Sequence, residues 1–235
     1  MKKLRSLLRA IPKWGWLLGL FYFGLQYGMY RLADWLTRIT GTIAWAYVPK
    51  IPFIDDRIPV ISVFVVFYLF SYVFWICGPI AVSLTKRENV INYVIGLSAA
   101  YLIGFLIFFF SPTYMDRVAE GLMDLADRPG LFNRLLGIVY RSDGSDYGFN
   151  LFPSYHCLIS SYCYLGVRKQ PEISKGFRVY SLVMTVLICL STVFTKQHYF
   201  IDIIGGLTIS ILCYIIVKKR NPAARILAKK EEKGA

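Results

Sequence analysis

The sequence predicts an all-α integral membrane protein: a six-helix bundle forming a single membrane domain over residues 1–235, with interfacial amphipathic helices on its outer side. Three observations carry this expectation. The 235 residues are 56% hydrophobic and only 17% charged, with a mean hydropathy of +0.50, too apolar for an ordinary soluble domain. About six apolar stretches approach the roughly 17–25 residues that a helix needs to cross a hydrocarbon core. Basic residues collect in alternate connections between those stretches, as the positive-inside rule asks of a multi-pass chain.

The expected spans are 14–34, 59–84, 92–111, 153–167, 179–196 and 199–217. The first follows MKKLRSLLRAIPK, where charge precedes an apolar run as in a secretion signal. That run is rich in bulky aromatics and lacks a small-x-small cleavage site, so it reads as a retained helix. The fourth is short, and Phe149 and Phe152 at its flank suit a start in the interfacial zone.

Orientation follows from the connections. Residues 1–13 carry five Lys or Arg, the turn around Lys86 and Arg87 two, Arg168 to Arg178 four, and the tail from Lys218 seven. These are 18 of the 27 basic residues, against four acids, Glu88, Glu172, Glu231 and Glu232. Both termini are therefore expected in the cytoplasm, with 218–235 a basic cytoplasmic tail, while 35–58, 112–152 and the 196–200 junction face outward. Within the outer segment, LMDLADRPGLFNRLLGIVY alternates apolar and polar residues like a helix lying along the membrane surface, and RITGTIAWAYVPK at 38–50 looks similar.

Topology thus explains the formal charge of +13 and leaves no soluble basic face for nucleic acid, which is excluded as a partner in favour of the lipid bilayer. The five cysteines, Cys77, Cys157, Cys163, Cys189 and Cys213, fall inside apolar segments and read as packing residues rather than a disulfide framework. No CxxC or His/Cys cluster points to a metal and no glycine-rich phosphate loop is present, so neither metal nor cofactor is expected.

The chemistry collects around the only two histidines, His156 and His198, which stand at the outer ends of expected spans. In Phe152-Pro153-Ser154-Tyr155-His156, Pro153 suits the first turn of a helix and Ser154 a cap. The free amides of such a helix start attract an anion. In Lys196-Gln197-His198-Tyr199-Phe200-Ile201-Asp202, the histidine and the aspartate are four residues apart and share a helix face. An aspartate so placed sets the imidazole tautomer and leaves the second ring nitrogen to attack an electrophile. Asp202 is followed at once by IIGGLTISILCYIIV, where an unpartnered carboxylate is expensive to keep.

These residues resemble the motifs of the type-2 phosphatidic acid phosphatase superfamily: K-x6-R-P, P-S-G-H and S-R-x5-H-x3-D. Pro153-Ser154-Tyr155-His156 is similar to the second, with Tyr155 in place of glycine. The run from Ser191 to Asp202 matches the third in spacing, with Thr192 where arginine usually stands, and looks most like the branch that includes inositol phosphorylceramide synthases. Ser111-Pro112-Thr113-Tyr114-Met115-Asp116-Arg117 is similar to that branch's P-T-x-x-x-R-P version of the first motif and nominates Arg117. Arg128-Pro129 supplies a literal R-P pair eleven residues later, without a lysine at the required distance upstream.

The resemblance implies a six-helix fold with its site on the outer rim and a metal-independent reaction. His198 would attack phosphorus to form a phosphohistidine, Asp202 would orient it, and His156 would protonate the departing oxygen. Arg117, Lys196 (substituting for the missing arginine) and Ser154 would bind the phosphate. The expected activity is hydrolysis of a membrane lipid phosphate or pyrophosphate on the outer leaflet, with phosphatidate-like lipids, phosphatidylglycerophosphate, polyprenyl pyrophosphate and phosphorylated glycolipids as candidates. Transfer to an alcohol acceptor is the alternative. A non-catalytic transporter or assembly protein is a third reading, against which the intact histidine pair and aspartate stand.

Overall fold

The computed structural model describes residues 10–144 and 146–234; the basic residues expected at 1–9 lie outside the described residues. The chain begins with α1 (Lys13–Ile39), a helix of 27 residues that ends before Gly41, whose φ of 77° reverses the chain. A 3-10 turn at Thr42–Trp45 and the short α2 (Pro52–Asp55) lead to α3 (Val65–Val82) and α4 (Arg87–Phe110). The outer segment then folds as β1 (Tyr114–Asp116), α5 (Leu122–Ala126), α6 (Leu131–Ser142) and β2 (Tyr147–Phe149). The two strands pair antiparallel, Tyr114 opposite Phe149 and Asp116 opposite Tyr147. The chain closes with α7 (Tyr155–Val167), α8 (Lys175–Phe194), α9 (Phe200–Arg220) and α10 (Pro222–Gly234).

This architecture is mostly helical, as expected, with the small sheet as an addition to the expected pattern. Among the described residues, four stretches are long and apolar enough to cross a membrane: Ser62–Val82, Arg87–Phe110, Lys175–Phe194 and Phe200–Glu232. Helices also form at the other two expected spans, without meeting that length and hydropathy. α1 carries Gln26, Arg31 and Asp34 among its apolar residues, which lowers its hydropathy. α7 has 13 residues, about 20 Å at 1.5 Å per residue, short of a core about 30 Å thick. Every residue of α7 except Tyr164 is buried, so this helix is the centre of the bundle, packed by α3, α4, α8 and α9.

Hydrogen bonds hold α7 from three sides. The Trp75 indole of α3 donates to Ser160 Oγ at 2.9 Å, the Tyr155 hydroxyl donates to the Tyr101 carbonyl of α4 at 2.7 Å, and Thr185 of α8 donates to the Ser160 carbonyl at 2.9 Å. In an apolar surround such bonds satisfy groups that have no water to turn to. The outward faces of the long helices are greasy: Phe70, Val73, Leu102, Leu106, Val186, Ile211 and Ile215 are all exposed. Cys157, Cys163, Cys189 and Cys213 are buried as packing residues, whereas Cys77 is exposed on the outside of α3 and does not pack the core.

The outer segment caps the end of the bundle where α7 and α9 begin. Leu122, Ala126, Leu136, Val139 and Tyr140 pack against Val65, Tyr68, Met115, Leu151 and Tyr199 in one apolar cluster. The single surface helix expected here is divided at Arg128-Pro129-Gly130, because Gly130 adopts φ 130° and Pro129 has no amide to donate. The surface helix expected at 38–50 does not form: α1 runs on through Ile39, and the Tyr47 amide and carbonyl bond across to Pro112 and Tyr114.

The tightest crossing joins α7 to α9. A Cβ added at Gly206 would overlap the Ser154 carbonyl oxygen, so only glycine lets the two backbones meet. Gly206→Ala is expected to destabilise the protein by about 1–3 kcal/mol, seen as a lower melting temperature in detergent. Gly24→Ala, where a Cβ meets nothing within 4 Å, is expected to leave it unchanged or slightly raised.

Candidate active site

The loop between α8 and α9 presents His198. The Thr192 carbonyl accepts two amides, from Gln197 at 2.9 Å and His198 at 3.1 Å, and Lys196 takes φ 47° to make the reversal. Asp55, 2% exposed, clasps the same loop from α2. Its carboxylate accepts the Phe200 amide at 2.8 Å and the Ile51 amide at 2.7 Å, and its carbonyl accepts Lys196 Nζ at 2.7 Å. Asp202 then caps the start of α9, accepting the Tyr199 amide on Oδ2 at 2.9 Å, with His198 Nδ1 3.3 Å from the same oxygen. A carboxylate only accepts, so the imidazole proton stays on Nδ1 and the Nε2 lone pair is left for chemistry.

His156 comes from the first turn of α7. Ser154 caps that helix through its side chain, accepting the Cys157 amide at 3.4 Å, while its own amide donates to the Asp202 carbonyl at 3.0 Å. The histidine starts of two helices are thereby tied through one residue. Around the His156 ring stand Tyr68, stacked at a centroid distance of 4.2 Å, Trp75 at 4.8 Å and Tyr72 at 6.0 Å. The His156 and His198 ring centroids lie 5.8 Å apart.

Both imidazoles line a cavity of about 610 Å³, together with Gln197, Asn150, Asp143 and a face of α1. Within that lining, His156 Nε2, Gln197 Nε2 and Asn150 Nδ2 are buried and have no hydrogen-bond partner. Buried polar groups are nearly always satisfied, so these three atoms call for an acceptor inside the cavity, from water or from a polar ligand. Arg117, 1% exposed, stands behind the wall. Its Nη2 reaches Asp143 Oδ2 at 2.6 Å and Gln197 Oε1 at 3.4 Å, and its Nη1 reaches the Tyr140 carbonyl at 3.1 Å. Asp143 Oδ1 in turn accepts the Tyr30 hydroxyl at 2.7 Å, which brings α1 into the network.

A profile of the PAP2 superfamily matches residues 34–216 of this 235-residue chain. The chain belongs to the PAP2 superfamily. Membership places it with lipid enzymes of phosphatase and phosphotransferase type, and together with the apolar helices it makes the chain an integral membrane protein. The match covers both histidines, Asp202 and Arg117. No curated protein and no solved structure matches the chain.

Of the residues singled out in this PAP2 superfamily sequence, the structure brings His156, His198 and Asp202 together and sets Arg117 against Gln197 and Asp143. Arg128 lies elsewhere, exposed in the turn between α5 and α6. Lys196 does not line the cavity, because its ammonium is held by Asp55; burial lowers its pKa, with Asp55 and Glu120 acting the other way. Ser154 is also absent from the lining, fully buried and committed to its cap.

Sequence reasoning missed Gln197, Asn150, Asp143, Tyr30 and the aromatic walls around His156. Gln197 sits inside the quoted third motif and was passed over for its neighbours. Arg31 and Asp34 carried the clearest missed signal, since ionisable residues within an apolar helix usually face something polar. Asp143→Asn is expected to cost on the order of 2–3 kcal/mol, measured by thermal or chaotrope unfolding in detergent, because it removes the negative charge facing a buried guanidinium.

Proposed function

We propose that this protein hydrolyses a lipid phosphate or pyrophosphate monoester on the outer leaflet, through a phosphohistidine on His198 and without a metal ion. The observation that carries this reading is the placement of two imidazoles, 5.8 Å apart, on one cavity, with one of them held by a buried aspartate. Burial, and then the neighbouring His198, lower the pKa of His156, so it takes up its proton beside the bound phosphate; His198 Nε2 attacks phosphorus as the bond to the lipid oxygen breaks, and His156 gives that proton to the departing oxygen. In the second step neutral His156 takes a proton from water as the water oxygen attacks the phosphohistidine. Phosphate leaves, His198 is regenerated and His156 is again protonated. The Gln197 and Asn150 amides donate to the equatorial oxygens, with Arg117 adding charge through Gln197.

The outward assignment rests on charge. The cavity lies at the end of the bundle capped by the 112–152 segment, while the basic turns after α3 and α7 and the basic end of α9 lie at the other. Transfer to an alcohol acceptor is the second reading, in line with the synthase-like third motif. It is favoured by the cavity's extension along α1 from Gln26 to Arg38, about 18 Å of helix, which leaves room beside His156 for a hydroxyl compound.

Purified protein in chelator is expected to release phosphate from at least one lipid phosphate, and His198→Ala to abolish that turnover. A folded His198→Ala protein that turned lipid over at the wild-type rate would sink the proposal and return the non-catalytic reading to the front. His156→Ala is expected to lose about 10²–10⁴-fold in kcat on a lipid and much less on an aryl phosphate, whose leaving group needs no proton. Phosphorylated alcohol in place of free phosphate, when alcohols are supplied, decides for transfer.

A further inference from the structure

We propose that Arg31, on the cavity face of α1, is the cation that draws in and binds the phosphate of the lipid substrate; this rests on the proposed function. The acids and arginines at the cavity do not balance. Asp143 faces Arg117, 2.6 Å away. Asp34 accepts Arg38 through both Nη2, at 3.0 Å, and Nε, at 3.1 Å, and the Arg38 guanidinium also lies 5.1 Å from the centre of the Phe149 ring. Each acid in the lining therefore has its own arginine. Arg31 lines the same cavity and makes no ion pair or hydrogen bond among the described residues. Counted with Arg117 behind the wall, three arginines stand against two acids, and the uncompensated positive charge belongs to Arg31.

A phosphate monoester brings about −1.5 to −2 charges at neutral pH and needs more than neutral donors to hold it. The other basic candidates are engaged elsewhere. Lys196 is fastened to Asp55, and position 192 holds a fully buried threonine whose hydroxyl donates to the Cys189 carbonyl at 2.7 Å. Arg31 is an exposed residue of the lining, while the amides of Gln197 and Asn150 in the same lining are buried. It is also held in orientation. Its neighbour Tyr30 donates to Asp143 at 2.7 Å and to the Phe149 carbonyl at 3.0 Å, which locks the rotation of α1 about its axis. Residues 27, 31, 34 and 38 then share one helix face, and that face is the cavity wall. A guanidinium there offers a planar fork matched to two phosphate oxygens, which an ammonium does not.

The test uses full-length protein in detergent and two readouts. In turnover of a lipid phosphate that wild type hydrolyses and His198→Ala does not, Arg31→Gln is expected to raise KM about 10–100-fold and to change kcat by less than about threefold. Arg31→Lys is expected to recover part of the loss. Lys219→Gln, at the far end of α9, serves as the charge control and is expected to match wild type. The second readout does not depend on catalysis: calorimetric binding of dihexanoyl phosphatidate, which Arg31→Gln is expected to weaken by the same factor. An unchanged KM in an active enzyme, equal phosphatidate affinity in wild type and Arg31→Gln, or no binding by wild type overturns the assignment. Failure of the functional reading would show separately, as turnover that survives His198→Ala.

Discussion

Asp202 is the residue on which the geometry depends. Its carbonyl accepts the Ser154 amide at 3.0 Å, and its carboxylate accepts the Tyr199 amide at 2.9 Å and faces His198 Nδ1 at 3.3 Å. One fully buried residue thus joins the start of α7 to the start of α9 and orients an imidazole. Gly206, one turn further along α9, makes the join possible by letting the Ser154 carbonyl approach without a Cβ in the way. With that contact set, the separation of the two histidine rings is no longer free to vary, because each is carried on the first turn of a helix, or the loop before it, that the contact holds.

The surroundings complete the site before any ligand arrives. Asp55 clasps the His198 loop, and the aromatic rings of Tyr68, Tyr72 and Trp75 wall in His156. Tyr30, Asp143, Arg117 and Gln197 form a chain of contacts from α1 to the residue next to His198. The amide nitrogens of Gln197 and Asn150 are buried in this wall and make no hydrogen bond among the described residues. In the proposed reaction such fixed donors would meet the charge that develops on a bound phosphate with little reorganisation.

Two departures from the family's motifs turn out to be structural solutions of this fold. Tyr155, in place of glycine, lays its ring into the space left by Gly104, where a Cβ would overlap it, and donates to the Tyr101 carbonyl. Thr192, in place of arginine, is 0% exposed, and its carbonyl takes the two amides that shape the loop before His198. Position 192 therefore supplies shape to the loop and no charge to the cavity. The elements that bring positive charge are α1, with Arg31 and Arg38, and the outer segment, with Arg117 behind the wall.

By itself the sequence determined the membrane character of the chain, the approximate place of each long helix and the polar residues that meet at the candidate site. These are local matters: hydropathy over a span, and a four-residue spacing that puts His198 and Asp202 on one face. Tertiary structure decided the rest. Whether α7 crosses the bilayer or fills the middle of the bundle depends on what packs around it, and four neighbouring helices take up its surface. Lys196 looked like a phosphate ligand because it is two residues from His198, yet a left-handed turn at that position sends its side chain to Asp55. The α1 face, more than a hundred residues away in sequence, joins the site through its packing on α3 and α4 and through the bonds of Tyr30 to Asp143 and to the Phe149 carbonyl. No local pattern encodes a meeting of that kind, which exists only once the helices have packed.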